Sequence, residues 1–265
     1  MNLPQRVSIS AVFDSLPDQH RVFHCSKLFF LGVTTLDSRG RPWASILTSK
    51  SGTPGFIESP DESSLVISAR TWDGDPTMMN LDMTSKIDDK LLFAAVGLET
   101  STRRRNKFAG SITEVVTDGY DITLRVHVSH ALGLVRLIVI NPNPYSIVRL
   151  CPKYINVRNL SPYTCGRSKV LHQNWNMDGD ASLPPAVVDF IHSADTAYLA
   201  TYYRPVSEDK TLNPARAGTN HRGGQPGFVR VRPSDRRTLV LPNYAGKYPS
   251  IPIITAVWAS FAAIP

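Results

Sequence analysis

The chain has 265 residues, of which 42% are hydrophobic and 19% are charged. That apolar share is enough for a packed core, so the composition excludes a chain that is disordered throughout. The net charge of +7 favours anionic partners as a class, namely nucleic acid, acidic lipid or phosphorylated small molecules. A dedicated nucleic-acid role is disfavoured, because the basic residues are scattered and no basic patch is interleaved with aromatic residues.

Metal, disulfide and membrane functions have little support in the sequence. Cys25, Cys151 and Cys165 are odd in number and irregularly spaced, which argues against a disulfide framework or a zinc site. His127 and His130 fall in a strand-like pattern that places them on opposite faces. There is no signal-peptide pattern, and no stretch has the ~18 apolar residues of a membrane helix. We expect no metal, no membrane contact and a cytoplasmic location.

The predicted elements are mostly strands. Apolar runs and alternation predict strands at 28–33, from Trp43 onward, at 56–57, 64–67, 90–98, 107–116 and 121–128. Gly110 marks a bulge or a close backbone approach within its strand. In 121–128 the apolar side chains alternate, so they should share one face. Two helices are predicted, one starting near Asp75 within 71–83 and one at 186–192 after Pro185.

A pattern of strand, tight turn and strand occurs twice. Pro54-Gly55-Phe56-Ile57 is followed by Pro60-Asp61 and then by Ser64-Leu65-Val66-Ile67, and Pro226-Gly227-Phe228-Val229 is followed by Pro233-Ser234-Asp235 and then by Thr238-Leu239-Val240-Leu241. An apolar run precedes each block, at 28–33 and 197–201. The shared order indicates two related β modules. The alternative is a coincidence between two ordinary hairpins.

The repeat predicts the domain organisation. The first module spans 1–160 and contains an atypical apolar, proline-broken segment at 132–150. A polar linker rich in Gly, Asn and Asp spans 161–183, and a second module spans 184–265. The fold class is mainly β with few helices. The second module is shorter than the first and is expected to be incomplete.

Four segments are candidates for a binding role. His221-Arg222-Gly223-Gly224 combines exposed backbone amides with a forked cation, which suits an anion nest, although composition alone favours a glycine loop with a solvated arginine. Lys247 follows a strand, where it suits a terminal phosphate or is simply solvated. The strand that opens at Gly40-Arg41-Pro42-Trp43-Ala44-Ser45 has small residues that leave room for a flat ligand, although a turn followed by an ordinary barrel strand is equally consistent. Thr102-Arg103-Arg104-Arg105-Asn106 favours a charged loop over a phosphate site.

No nucleophile paired with a base appears, and no glycine-rich nucleotide loop is present. Chemistry in this chain would therefore belong to a bound cofactor.

These segments together resemble the pyridoxamine 5′-phosphate oxidase-like family of FMN-binding split β-barrels, and most closely its microbial and fungal members. The resemblance covers 18–68, 90–128, 151–155 and 195–247, more than half of the chain. It is carried by the following motifs in shared order: Phe29-Phe30-Leu31-Gly32, Gly40-Arg41-Pro42-Trp43-Ala44-Ser45, Pro54-Gly55-Phe56-Ile57, Thr102-Arg103-Arg104-Arg105-Asn106, Cys151-Pro152-Lys153-Tyr154-Ile155 and His221-Arg222-Gly223-Gly224-Gln225-Pro226-Gly227-Phe228.

The resemblance implies a split β-barrel that binds FMN without a covalent bond, with the flavin between two barrels in a homodimer or an intrachain pseudo-dimer. Lys247 matches a family lysine that approaches the FMN phosphate. The other implied flavin contacts are His221, Arg222, Gly223, Ser45 and Thr48. The expected function is FMN-dependent oxidoreductase activity with an unknown substrate and unknown catalytic residues.

Two departures from the family keep an alternative open. Residues 132–150 replace a short family lead into Cys151-Pro152-Lys153-Tyr154, and the chain ends with 251–265 where the family continues with further strands. The alternative is a binding or structural split-barrel protein without flavin activity. A nucleic-acid binder, motivated only by the charge, is the remaining hypothesis.

Overall fold

The computed structural model describes residues 12–81, 90–133, 154–162, 171–173, 182–204 and 214–242. Within them lie twelve strands and three helices. The strands are β1 (Val12–Phe13), β2 (Phe30–Leu36), β3 (Pro42–Thr48), β4 (Ile57–Asp61), β5 (Ser64–Arg70), β6 (Leu91–Glu99), β7 (Arg104–Asp118), β8 (Asp121–Leu132), β9 (Thr196–Tyr203), β10 (Arg216–Gly223), β11 (Arg230–Val231) and β12 (Leu239–Val240). The helices are α1 (Asp18–Ser26), α2 (Pro76–Asn80) and α3 (Pro185–Ser193).

Six strands form a closed antiparallel barrel. The pairing runs β8-β7-β6-β2-β3-β5, and β5 pairs back to β8 over seven residue pairs from Ser64–His127 to Arg70–Asp121. The short strands β1 and β4 extend the sheet beside β8 and β5. The predicted mainly-β class with a barrel architecture is confirmed.

The barrel interior is filled by side chains that alternate along each strand. On β8 these are Ile122, Leu124, Val126 and Val128, all fully buried, as the alternation predicts. The register between β7 and β8 shifts at Gly110, and a Cβ atom there would collide with the carbonyl oxygen of His127. The prediction of a bulge or close approach at this glycine is therefore confirmed.

Strands β2 and β6 are buried on both faces. Every residue of β2 is buried, as are the first eight of the nine residues of β6. Their inward side chains join the barrel core, while Phe30, Val96 and Leu98 point outward into a second cluster. A strand covered on both sides reads as a continuous apolar run, which explains the sequence of β6.

The cover on the outer face is the antiparallel hairpin of β9 and β10, which we call the covering hairpin. Its Tyr198 lies so close to Gly32 that a Cβ atom on Gly32 would be 2.6 Å from Cδ1 of the tyrosine ring. The hydroxyls of Thr34 and Thr219 are 2.8 Å apart, and Thr219 Oγ1 donates to the carbonyl of Ala94 at 2.9 Å. Close apolar packing and buried polar contacts thus join hairpin and barrel.

A smaller cluster lies on the far side of the covering hairpin. It contains buried side chains from α3, β9, β11 and the segment before β11, namely Ile191, Ala197, Phe228, Val229 and Val231.

The two repeated blocks of the sequence share local backbone geometry. Gly55 and Gly227 both have positive φ, +101° and +82°. Asp61 accepts a hydrogen bond from the Ser63 amide, and Asp235 accepts one from the Thr238 amide. The module boundaries stay a prediction, because much of 134–181 and all of 243–265 lie outside the described residues.

The two predicted helices are present, and a third was not predicted. Asp75 accepts a 2.8 Å hydrogen bond from the amide of Thr77 and so caps α2, which ends at Asn80. Helix α3 begins at Pro185, one residue before the predicted start. The sequence reasoning missed α1, whose polar residues obscure the buried side of Phe23 and His24.

We predict that Gly32→Ala lowers the free energy of unfolding by about 1–3 kcal/mol, because the added methyl group collides with Tyr198. In a Tyr198→Leu background the same change should cost less, because the smaller side chain leaves room. Urea denaturation of the wild type, the two single variants and the double variant measures the coupling free energy between Gly32 and Tyr198. An equal cost in both backgrounds would show that the ring does not press on Gly32.

We also predict acid sensitivity from His24. Burial, followed by the charges of His20 and Arg104, lowers the pKa of His24 from 6.5 to about 3. The unfolded chain therefore binds this proton first, so stability is complete above pH 6.5 and decreases as the pH falls towards 3, by up to about 5 kcal/mol. His24→Phe should flatten this decrease, whereas His127→Gln, on the exposed side of β8, should not. Equal slopes for both variants in denaturation between pH 7 and 4 would contradict the assignment.

Candidate functional site

A cluster of cations lies where the barrel meets the covering hairpin. Arg105 and Lys107 belong to β7, and their partners across the ladder on β6 are Leu98 and Val96. Those partners point outward into the cluster around Tyr198. Since cross-strand partners share a face, Arg105 and Lys107 also lie on the outer face. We name Arg105, Lys107 and Arg222 the cationic cluster.

The hairpin completes the cluster through Asn220 and Arg222. Lys107 Nζ donates a hydrogen bond to Oδ1 of Asn220, across the junction between β7 and β10. Arg222 follows two residues later, so it lies on the same face of β10 as Asn220. One of its guanidinium nitrogens donates to the carbonyl of His221 at 3.1 Å. Barrel and hairpin thus contribute to one site.

Two neighbouring cations and partial burial act on the charge of Lys107. Burial, together with the charges of Arg105 and Arg222, lowers the pKa of Lys107 to about 7. Burial also lowers the pKa of the Arg222 guanidinium. Like charges held this close repel each other, and a bound anion would remove that repulsion. The site is therefore suited to a phosphate or a carboxylate.

His221 faces the barrel, next to the cationic cluster. It pairs across the ladder with Tyr198, and their ring centroids are 5.7 Å apart. Burial, then Arg105, Lys107 and Arg222, lower its pKa to about 3, so the imidazole is neutral at physiological pH. A neutral imidazole can donate or accept a hydrogen bond, but it adds no charge to the site.

A narrow cleft separates the barrel from the hairpin beside His221. Its volume is about 20 Å³, enough for one water molecule. It is lined by Phe30, Leu98, Thr100, Ile155, Asn156, Arg158, Leu160, Thr196, Tyr198 and His221. The buried hydroxyl of Tyr198 has no hydrogen-bond partner among the described residues, so a water molecule in the cleft would satisfy it. The cleft is too small for a flavin ring.

An extended segment, 154–160, closes one side of this cleft. Asn156 Nδ2 donates to the carbonyls of Asp195 at 3.2 Å and Gly224 at 3.0 Å. Arg158 forms a 2.5 Å ion pair with Asp195 and accepts a hydrogen bond from Thr100 through its carbonyl. This segment fastens the base of the covering hairpin to the barrel.

The structure brings some of the predicted flavin contacts together and separates others. His221 and Arg222 meet at the cationic cluster. Gly223 is adjacent, but a Cβ atom there would collide with the carbonyl of Tyr154, so the glycine allows the approach of this chain's own backbone. Lys247 lies outside the described residues. The two remaining predicted contacts, Ser45 and Thr48, lie on opposite faces of β3.

Ser45 points into the barrel and donates a 2.7 Å hydrogen bond to Asp75, whose pKa is raised by burial. Thr48 is two residues after Ile46 and shares the face of Ala44 and Ile46, so it lies on the outer face at the end of β3, partly buried. On the outer face of this strand, Ala44 and Ile46 are packed in one cluster with Tyr198 and Ile155.

Arg105 and Lys107 were missed as site residues in the sequence. The sequence favours a charged loop for the motif at 102–106, but β7 begins at Arg104. The available signal was the alternation of Arg105, Lys107 and Ala109 with Asn106 and Phe108. This alternation is hard to recognise in the sequence, because the inward position 106 carries a polar residue, the buried Asn106.

No helix in the described part of the chain is long and apolar enough to cross a membrane. No protein-family model matches the sequence. No curated protein matches it either.

Among solved structures, a variant of HupZ from Group A Streptococcus is 16% identical, with a TM-score of 0.32, and the match covers 45% of this chain and 99% of that chain. Another structure of HupZ from Group A Streptococcus is 15% identical, with a TM-score of 0.30, and the match covers 43% of this chain and 89% of that chain. At these low values the likeness carries no weight for function. The barrel assignment rests on the strand order of this chain.

The electrostatic coupling in the cluster is testable. Arg222→Met should raise the pKa of Lys107, because it removes one of the two cations that lower it. The pKa is measured by NMR after reductive ¹³C-methylation of the lysines. Arg230→Met, an exposed arginine on β11, is the matched control and should leave the pKa of Lys107 unchanged. A pKa that does not move in Arg222→Met would place Arg222 away from Lys107.

Proposed function

We propose that this chain is an FMN-binding flavoprotein of the pyridoxamine 5′-phosphate oxidase-like class, in which the cationic cluster holds the phosphate. The single observation that carries the proposal is the meeting of Arg105, Lys107 and Arg222 across the junction of barrel and hairpin. The resemblance in sequence supplies the identity of the cofactor, and the cluster supplies the chemistry that would bind its charged end.

A phosphate monoester suits this cluster in charge and in geometry. The dianion offers several acceptor oxygens, which planar guanidinium groups on Arg105 and Arg222 can bind in a forked manner. The Lys107 ammonium adds a compact charge between the two strands. Two strands from different parts of the chain provide the ligands, so phosphate binding would also hold the hairpin on the barrel.

The flavin ring needs a place outside the narrow cleft, whose volume is about 20 Å³. Under this proposal the ring lies on the side of the hairpin that Asn220 and Arg222 face, away from Tyr198. Lys247 remains a proposed phosphate ligand. FMN, when bound, would supply hydride or electron transfer, and the chain would bind and orient it.

The covering hairpin favours a site within one chain. In the family resemblance, the flavin lies between two barrels. Here the outer face of β2 and β6 is covered by β9 and β10 of the same chain, with Tyr198 on Gly32. We therefore propose an intrachain pseudo-dimer rather than a homodimer through this face.

The second candidate is a split-barrel protein without flavin. One observation favours it, namely that Tyr198 and Ile155 pack on Ala44 and Ile46, so the outer face of β3 leaves no room for a flat ligand. Under this alternative the cationic cluster binds a smaller anion, or serves only to fasten the hairpin through Asn220.

Titration of FMN followed by flavin fluorescence separates the two candidates. We expect saturable quenching with the wild-type protein and binding at least ~10-fold weaker for Arg222→Met, equivalent to about 1.4 kcal/mol. Arg230→Met is the control and should bind as the wild type does. Riboflavin, which has no phosphate, should bind to Arg222→Met and to Arg230→Met with equal affinity. Absence of quenching in the folded wild-type protein would support the candidate without flavin.

The affinity for FMN should fall as the pH rises through 7. A bound phosphate favours the ammonium form of Lys107, whose pKa in the free protein is about 7. Binding is thus accompanied by proton uptake at higher pH, and the linkage weakens it there. Lys107→Arg, which stays charged, should remove most of this dependence between pH 6.5 and 8.5. A wild-type affinity that is constant over that range would contradict the role of Lys107.

A further inference from the structure

The face of the covering hairpin that points away from the barrel is closed at one end and open at the other. Cross-strand partners share a face, as does every second residue along a strand. The pairs on this face are Ala197–Arg222, Leu199–Asn220, Thr201–Gly218 and Tyr203–Arg216. On β9 the residues of the first two pairs are buried, with Ala197 in the cluster around Phe228. Thr201 is half-buried and Tyr203 is 49% exposed, so the open part of the face lies at the last two pairs.

Gly218 forms a shallow floor in this open part. It lies between Arg216 and Asn220 on the same face of β10 and is itself half-buried. Its carbonyl accepts hydrogen bonds from Thr34 at 3.0 Å and from Thr201 at 3.1 Å, which fixes this stretch of β10 to the barrel and to β9. The missing side chain leaves room for the hydroxyl of Thr201, 2.6 Å from where a Cβ atom would be, and for a group above the strand. Since a glycine inside a strand often marks the close approach of a ligand, this floor suits a flat group.

Tyr203 borders the floor on the same face. It comes two residues after Thr201, and its cross-strand partner Arg216 comes two residues before Gly218. Its ring makes no aromatic contact with another residue in the described part of the chain. A half-exposed tyrosine of this kind offers an apolar ring face on which a planar ligand can stack.

The floor also lies at a suitable distance from the cationic cluster. At 3.3 Å per residue, Gly218 is about 7 Å along β10 from Asn220 and about 13 Å from Arg222. Lys107 donates to Asn220, so the phosphate site proposed above is at the level of these two residues. The ribityl chain of FMN can join a phosphate held there to a ring that lies over Gly218.

We propose that the flavin ring lies on the floor around Gly218 and that Tyr203 stacks on it, which makes Tyr203 the residue that selects a planar ring. This inference rests on the proposed function and deepens it, because it assigns the surface that binds the uncharged half of the cofactor. The cationic cluster acts only on the phosphate, whereas Tyr203 acts only on the ring. The two contributions are therefore separable by the choice of ligand.

Flavin titrations of Tyr203→Ser measure the ring contact. We expect the affinities for FMN and for riboflavin to fall together, by at least ~5-fold, because both ligands carry the ring. Tyr120→Ser is the matched control, since Tyr120 is 48% exposed but lies in the turn between β7 and β8, and it should bind both flavins as the wild type does. Unchanged affinities in Tyr203→Ser would overturn the inference.

The fluorescence lifetime of the bound flavin tests the contact itself. A tyrosine that touches a flavin quenches its emission by electron transfer, whereas phenylalanine is much harder to oxidise and does not. Tyr203→Phe should therefore keep most of the affinity and lengthen the lifetime of bound FMN, and Tyr120→Phe should change neither. A lifetime in Tyr203→Phe equal to that in the wild type would place the ring away from Tyr203.

These results can be separated from the test of the proposed function. If FMN binds to the wild type and more weakly to Arg222→Met, while Tyr203→Ser binds it as tightly as the wild type does, the flavoprotein proposal stands and this inference is wrong. If the folded wild type binds neither FMN nor riboflavin, both proposals are wrong.

Discussion

The contact of Tyr198 with Gly32 determines how closely the covering hairpin approaches the barrel. A glycine on β2 leaves a gap in the outer face, and the tyrosine ring occupies it, with the side chains of Phe30, Val96 and Leu98 around it. Any larger residue at this position would push the ring away. The depth of this contact then sets the position of β10, because β9 and β10 are paired over eight residues.

The position of β10 in turn creates the cationic cluster. If the hairpin were a few ångströms further out, Asn220 would not reach Lys107, and Arg222 would be an ordinary solvated arginine. Bringing three cations together costs electrostatic free energy, which the apolar contact and the ion pair of Arg158 with Asp195 help to offset. A bound anion would offset this electrostatic cost, so the arrangement favours anion binding.

Much of the fold could be predicted from the sequence, because it depends on local patterns. The alternation in β8, the bulge at Gly110 and the start of α3 at Pro185 follow from side-chain period and backbone chemistry. Helix α1 could not be predicted in the same way, since its buried face contains His20 and His24, which count as polar in any pattern. Tertiary burial overrides the polarity of these residues.

The candidate site was predicted only in part, for a related reason. The glycine-rich segment pointed to His221 and Arg222, but their partners Arg105 and Lys107 come from a strand more than a hundred residues earlier in the chain. No local pattern in the sequence shows which residues meet across the junction between barrel and hairpin. Ser45 is a different case, since the pleat of β3 directs it to Asp75 inside the barrel, a contact that its motif does not indicate.

The most direct test of this account is the proximity of the covering hairpin to the barrel in solution. Nuclear Overhauser effects between the ring protons of Tyr198 and the α-protons of Gly32, assigned by selective labelling, report this contact. We predict a strong cross-peak, because the ring carbon Cδ1 lies 2.6 Å from the point where a Cβ atom of Gly32 would be. A folded protein with no such cross-peak would place β10 away from β7, and the cationic cluster would not exist.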